Sequence, residues 1–183
     1  MPGPPEKLLL GVSGSVAALS LPTYLHAFRA AGVHQIVAVL SPAAERFLPP
    51  AALSVVCDRV CTEADPAGGH VALGRWADHA LVLPATANLL GTVAHGLAPT
   101  LLTTTVLAAD CPVTFAPAMN PVMWQRPAVR RNVAILRGDG YDVVDPIPGT
   151  AYEVASRAIV PSIVVPPADV LLDRLRSVPE MSA

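Results

Sequence analysis

The sequence predicts an α/β fold, a parallel sheet with helices packed on both faces, and three observations carry that expectation. Short, almost purely apolar runs alternate with longer segments of mixed character, as strands buried on both faces alternate with crossover helices. Several runs end in Gly, Ser, Thr or Asn, the residues that make turns and start helices. Hydrophobic residues fill 52% of the 183 positions and charged residues only 14%, against a usual charged share of about 25%, so the chain has more apolar surface to bury than charge to solvate it.

Taken in order, Lys7–Val12 reads as the first strand and enters turn chemistry at 11–15. Residues 16–31 read as a helix that stops at Gly32, and 34–40 as a second strand. Ser41-Pro42 then has the form of a helix start, with Ser as cap and Pro at the first helical position. Residues 80–83 and 112–116 are further buried strands, with helices expected around 88–95 and 100–109, and 141–144 is a late strand. The segment 147–167 has weak periodicity and holds Pro148, Gly149, Pro161, Pro166 and Pro167, so it reads as a loop excursion before a final helix at 168–176. The length suits one domain over 1–183. The 20 prolines are scattered rather than repeated, which makes them loop punctuation in a compact fold.

Composition excludes several classes. Twelve Lys and Arg against 14 Asp and Glu give a net charge of -2, which leaves no broad electrostatic footprint for nucleic acid or anionic lipid. Residues 8–28 and 79–109 contain no Asp, Glu, Lys or Arg, but serines, glycines, prolines, Asn88, His95 and the run Thr103-Thr104-Thr105 interrupt them, so neither reads as a membrane span or signal peptide. The apolar excess instead points to burial between subunits. Cys57, Cys61 and Cys111 are odd in number and fit free thiols in a reducing, cytoplasmic setting. No fourth ligand accompanies Cys57, Cys61 and His70, so no metal is expected.

Four constellations carry chemistry. GVSGS (11–15) sits between the first strand and first helix, where backbone N–H groups and the helix dipole favour an anion. It matches neither dinucleotide nor P-loop spacing. PATAN (84–88) is a second small polar loop after a strand, and in open α/β sheets such loops converge on one ligand beyond the carboxyl ends of the strands; Ser41 would be a third contribution. PAMNPVMW (117–124) gathers Met, Asn and Trp between prolines, an unusual choice for packing alone because a buried amide needs partners. Finally, His70 follows Gly68 and Gly69, and imidazole is the side chain that exchanges protons near neutral pH.

Together, GVSGS, HVALGRWAD (70–78), PATAN and PAMNPVMW resemble the homo-oligomeric flavin-containing cysteine decarboxylases. These include phosphopantothenoylcysteine decarboxylase and the peptidyl-cysteine decarboxylases of lantibiotic and linaridin biosynthesis. The resemblance covers about residues 7–141. It implies a Rossmann-like flavodoxin-type fold, trimers as the building block of assemblies up to a dodecamer, and bound FMN, with FAD as the alternative flavin. Residue by residue, it implies that Gly14, Ser15 and Val16 meet the flavin phosphate with Ser41 nearby. Thr86, Ala87, Asn88 and Leu89 would form the second flavin loop, with Ala118 near the isoalloxazine. His70 matches the catalytic histidine and Asn120 the residue that holds the substrate carboxylate. Met123 and Tyr152 are further candidate substrate contacts, and 147–167 takes the place of a substrate-covering segment.

One departure directs the choice within the family. The coenzyme A branch carries a Cys-containing A-C-G motif after the late strand, whereas 148–153 reads PGTAYE and no Cys follows Cys111. There is also no space in 183 residues for the synthetase domain usually fused to bacterial members of that branch. The resemblance therefore implies oxidative decarboxylation of a precursor peptide's C-terminal cysteine to an aminoenethiol. The alternatives are phosphopantothenoylcysteine decarboxylation and, in another class, a non-catalytic flavin-binding regulatory subunit.

Overall fold

The computed structural model describes residues 3–65 and 69–177. Gly68, and 1–2 and 178–183 of the expected 1–183 domain, lie outside the described residues. Six parallel strands form one sheet: β1 (Lys7–Val12), β2 (Gln35–Leu40), β3 (Arg59–Cys61), β4 (His79–Ala85), β5 (Val113–Pro117) and β6 (Asp142–Val143). Their spatial order is β3-β2-β1-β4-β5-β6, the doubly wound arrangement in which the chain works outward in both directions from β1.

The near-continuous apolar runs exist because both faces of these strands are buried. Leu8, Leu10 and Val12 face one core, shared with Leu21, Leu25 and Phe28 of α1 (Leu21–Ala30) and with Leu171 and Leu175 of α8 (Ala168–Ser177). Leu9, Val82 and Phe115 face the other core. It is shared with α3 (His70–Trp76), α4 (Ala87–Ala94), α5 (Leu101–Leu107) and α7 (Pro127–Gly138). Gly74 of α3 lets the α3–α5 pair approach closely, since a Cβ there would lie 2.4 Å from the Ala108 carbonyl oxygen.

Four local expectations need correction. The helix expected over 16–31 is divided into a 3₁₀ turn, Val16–Ser20, and α1, because Pro22 lacks the N–H that would continue the first segment and instead sits in the first turn of the next. Gly32, at φ 101°, supplies the expected stop. Ser41-Pro42 starts no α-helix. Ser41 Oγ accepts from Ala44 N at 3.3 Å, and only a 3₁₀ turn (Ala44–Arg46) and the four-residue α2 (Pro50–Leu53) follow, since Pro49 and Pro50 block propagation. The segment read as a loop excursion, 147–167, is largely an antiparallel ribbon of β7 (Ile147–Glu153) and β8 (Ala158–Val164). In a two-stranded ribbon both strands are edges, so Pro148 and Pro161 are tolerated where a central strand would reject them. Finally, α3 and α7 were not expected as helices. Pro127 in the first turn and the Val133/Leu136 spacing are the signals that mark α7.

The two charge-free stretches are accounted for by this fold: 8–28 runs through β1 to α1, and 79–109 through β4, α4 and α5. Among the described residues no helix is long and apolar enough to cross a membrane.

Candidate active site

Because β1 and β4 are neighbours while their chains then turn to opposite faces of the sheet, the loops at their carboxyl ends leave a crevice between them. Ser13 knits those loops together. Buried at 3% exposure, it donates from Oγ to the Pro84 carbonyl at 2.7 Å and accepts from Thr86 N at 3.0 Å. Its own N–H donates to Pro84 O at 3.2 Å. Thr86 in turn caps α4, its Oγ1 accepting from Leu89 N at 3.3 Å. The adjoining β5 loop is tied in by Ala118 N donating to Ala85 O at 2.9 Å.

The first loop presents donors. Ser15 Oγ caps the following turn by accepting from Ala17 N, while the N–H groups of Gly14, Ser15 and Val16 donate to no other described residue. Gly14 is required by close approach: a Cβ there would lie 2.4 Å from the Cβ of Ala43. At the β5 loop, Asn120 caps α6 (Pro121–Gln125), with Oδ1 accepting from Val122 N at 2.8 Å. That bond assigns the amide orientation and leaves Nδ2 as a donor.

A cavity of about 690 Å³ opens here. It is bounded by Ser15 and Val16 of the first loop, Ala118, Met119 and Asn120 of the β5 loop, Leu21 and Tyr24 of α1, and the β7–β8 ribbon. Tyr24 pins the base of the ribbon, its OH donating to Pro166 O at 3.0 Å, and burial raises its phenol pKa. Ser15, Val16, Ala118, Asn120 and Tyr152 thus share one cavity. Gly14 and Ser41 lie in the loops behind it, each contacting 43–44. Thr86, Ala87, Asn88 and Leu89 stand at the start of α4, tied to the first loop through Ser13, but do not line the cavity.

Two sequence candidates stand apart. Met123 lies on α6, 46% exposed and outside the cavity. His70 is the exposed first residue of α3, a helix that packs on the opposite face of the sheet from α1, and it does not line the cavity. Sequence reasoning passed over Ser13, Tyr24 and Glu153. Ser13 stood within the GVSGS signal, but its role depends on a partner loop 71 residues away. Trp124 is explained by packing: it rests against the second core with the Arg130 guanidinium 4.8 Å from its ring centre.

Residues 3–165 match the family described as Flavoprotein. The chain belongs to that family. Among its relatives, the chain is 40% identical over 154 residues to the mersacidin decarboxylase of Bacillus sp. (strain HIL-Y85/54728), covering 82% of this chain and 79% of that one. It is 43% identical over 149 residues to the coenzyme A biosynthesis bifunctional protein CoaBC of Mycobacterium tuberculosis (strain H37Rv), covering 79% of this chain but only 35% of that longer protein. Among solved structures, it resembles the FMN-dependent cysteine decarboxylase SpaF, with TM-score 0.77 and 39% identity over 92% of this chain and 94% of that one. It also resembles an EpiD variant complexed with substrate peptide DSYTC, with TM-score 0.87 and 26% identity over 96% and 99% of the two chains.

The site fits a flavin phosphate. Three unengaged N–H donors at a turn beside a cavity of this size form an anion cradle, and small Ala118 leaves room beside it for a planar ring. All three cysteines are buried and none lines the cavity. Burial pushes the Cys57 and Cys111 thiols up to about 11 and raises Cys61, the opposite of a thiolate prepared for redox work.

Proposed function

We propose that the chain is an FMN-dependent decarboxylase that oxidises and decarboxylates the C-terminal cysteine of a precursor peptide to an aminoenethiol. The observation that supports this reading is a cavity lined by the Asn120 amide and by a loop with unengaged backbone N–H donors, but by no thiol. Cysteine has no sink for the electron pair left behind by carbon dioxide, so it must first be oxidised. When bound, the flavin supplies a two-electron acceptor for a hydride from the cysteine β-carbon. The thiol proton passes to a base, and the resulting thiocarbonyl of the substrate takes the electrons released with carbon dioxide. Reprotonation at sulfur gives the enethiol.

The protein's residues hold and orient these groups. The N–H donors of Gly14, Ser15 and Val16 hold the phosphate with Ser41 behind them, and Thr86 to Leu89 form the second flavin loop, registered by Ser13. Ala118 flanks the ring. Asn120 Nδ2 donates to the substrate carboxylate without the full charge neutralisation of an arginine, which leaves carbon dioxide free to depart. Tyr152 on the ribbon and Met123 at the outer edge of α6 contact the peptide, and the ribbon excludes water.

His70 moves protons, and because it lies outside its own subunit's cavity it comes from a neighbouring copy. The active unit on this reading is an oligomer, built from trimers as the resemblance implies, with the exposed Val71, Leu97 and Leu107 covered between subunits. A cytoplasmic location suits the reduced thiols.

The likeness to CoaBC favours a second reading, phosphopantothenoylcysteine decarboxylation, which ends at the reduced thiol and needs a reductive step for which the cavity holds no cysteine. Incubating the flavin-loaded protein separately with a peptide ending in Cys and with phosphopantothenoylcysteine, then weighing the products, tests the choice. Loss of carbon dioxide and two hydrogens from the peptide is expected; turnover of phosphopantothenoylcysteine alone would overturn the reading.

A further inference from the structure

Along β7, Gly149, Ala151 and Glu153 fall on the more buried side of the ribbon, alternating with the more exposed Thr150 and Tyr152. Among the described residues Glu153 is the sole charged side chain lining the cavity. Its cross-strand neighbour is Ala158, which brings no charge. Among the described residues Glu153 makes no ion pair and no side-chain hydrogen bond, and Arg157 in the ribbon's turn does not pair with it. The Glu153 carboxylate shares the cavity with Ala151 and Val160 and has no protein cation beside it among the described residues, so a cation on a bound ligand is the charge that would complement it.

We infer that Glu153 sets the charge preference of the site, favouring peptides that carry a Lys or Arg upstream of the terminal cysteine and disfavouring those with Asp or Glu there. The inference rests on the proposed peptidyl-cysteine decarboxylation. Asn120 and Glu153 line the same cavity, and a peptide whose terminal carboxylate is held at Asn120 would extend at about 3.4 Å per residue with alternate side chains on one face. One upstream position therefore meets the carboxylate.

The test uses the full-length, FMN-loaded protein and neutral pentapeptides ending in Cys. Lys, Gln or Glu is placed in turn at each of the four preceding positions, and kcat/KM is read from product mass. At one position the Lys peptide is expected to exceed the Glu peptide by about 3- to 10-fold, the scale of a partly exposed ion pair set against a like-charge repulsion. In Glu153→Gln that ratio falls to about one, and in Glu153→Lys it inverts. Turnover of all peptides without a Lys-to-Glu difference, or a difference that survives Glu153→Gln, would overturn the inference while leaving the decarboxylase reading in place. No turnover of any peptide would overturn that reading and the inference with it.

Discussion

On the proposed reading Asn120 has a second role beside its observed cap, and the two are separable. Its Oδ1 caps α6 by accepting from Val122 N at 2.8 Å, and its Nδ2 is assigned to the substrate carboxylate. Asn120→Ala removes both; losing an N-cap costs about 0.5–2 kcal/mol, a fall in Tm of a few degrees for a chain of this size. Asn120→Asp keeps the acceptor and adds charge at a helix N-terminus, where it is worth about 0.3–1 kcal/mol in favour of the fold. Toward the substrate the order changes. Losing a hydrogen bond to a charged group costs about 1.5–3 kcal/mol, or roughly 10- to 150-fold in kcat/KM, and the aspartate adds repulsion to that loss. The Asp variant is therefore expected to be at least as stable as the wild type yet no more active than the Ala variant. Thermal unfolding, flavin content and kcat/KM on a peptide ending in Cys, measured on both variants, check this. An Asp variant with near wild-type turnover, or activities that simply follow Tm, would refute the two-role assignment.

His70→Asn is expected to retain flavin and lose about 100- to 10,000-fold in turnover, and mixing it with Asn120→Ala under subunit exchange should restore part of the activity, because a shared site then receives one intact copy of each residue. No recovery in demonstrably mixed oligomers would count against a His70 supplied in trans. Ser13→Ala deprives Thr86 N–H of its acceptor, at about 1–3 kcal/mol, so FMN should bind more weakly by fluorescence titration; wild-type affinity would contradict the loop-registering role. Burial lowers the His79 pKa to about 4 from an ordinary 6.5, its Nε2 lying 2.9 Å from Thr114 Oγ1. The unfolded chain therefore takes up a proton that the folded chain refuses, and the stability from neutral His79 is complete above about pH 6.5 and falls by roughly 3 kcal/mol as pH drops toward 4. Urea unfolding at pH 7 and 4.5 should show a smaller acid loss for His79→Gln than for the wild type, and equal losses would exclude His79 as the source.

Much of the fold was legible because burial on both faces writes strands as apolar runs. Lys7–Val12 needed no tertiary information, and the helices expected around 88–95 and 100–109 are α4 and α5, capped in the structure by the side chains of Thr86 and Thr100. The β7–β8 ribbon was hidden for the opposite reason, since its exposed edges tolerate the prolines that read as loop. The site was legible in its loops and not in their relations. GVSGS, PATAN and PAMNPVMW each marked a strand end. That Ser13 ties two of them together, that the Asn120 amide capping α6 also lines the cavity, and that His70 stands outside it depend on how segments tens of positions apart come together. Glu153 carried no local signal, because its importance lies in being the cavity's one charge among the described residues.

The central claim is that oxidation of the substrate cysteine precedes and permits loss of carbon dioxide, with no thiol lining the cavity to return the electrons. The most direct measurement is anaerobic mixing of the FMN-loaded protein with excess peptide ending in Cys, following the visible flavin absorbance and product mass together. The expected result is bleaching of the flavin with one decarboxylated peptide formed per flavin and no more until oxygen is admitted. Many turnovers without oxygen, or decarboxylation with the flavin band unchanged, would contradict it.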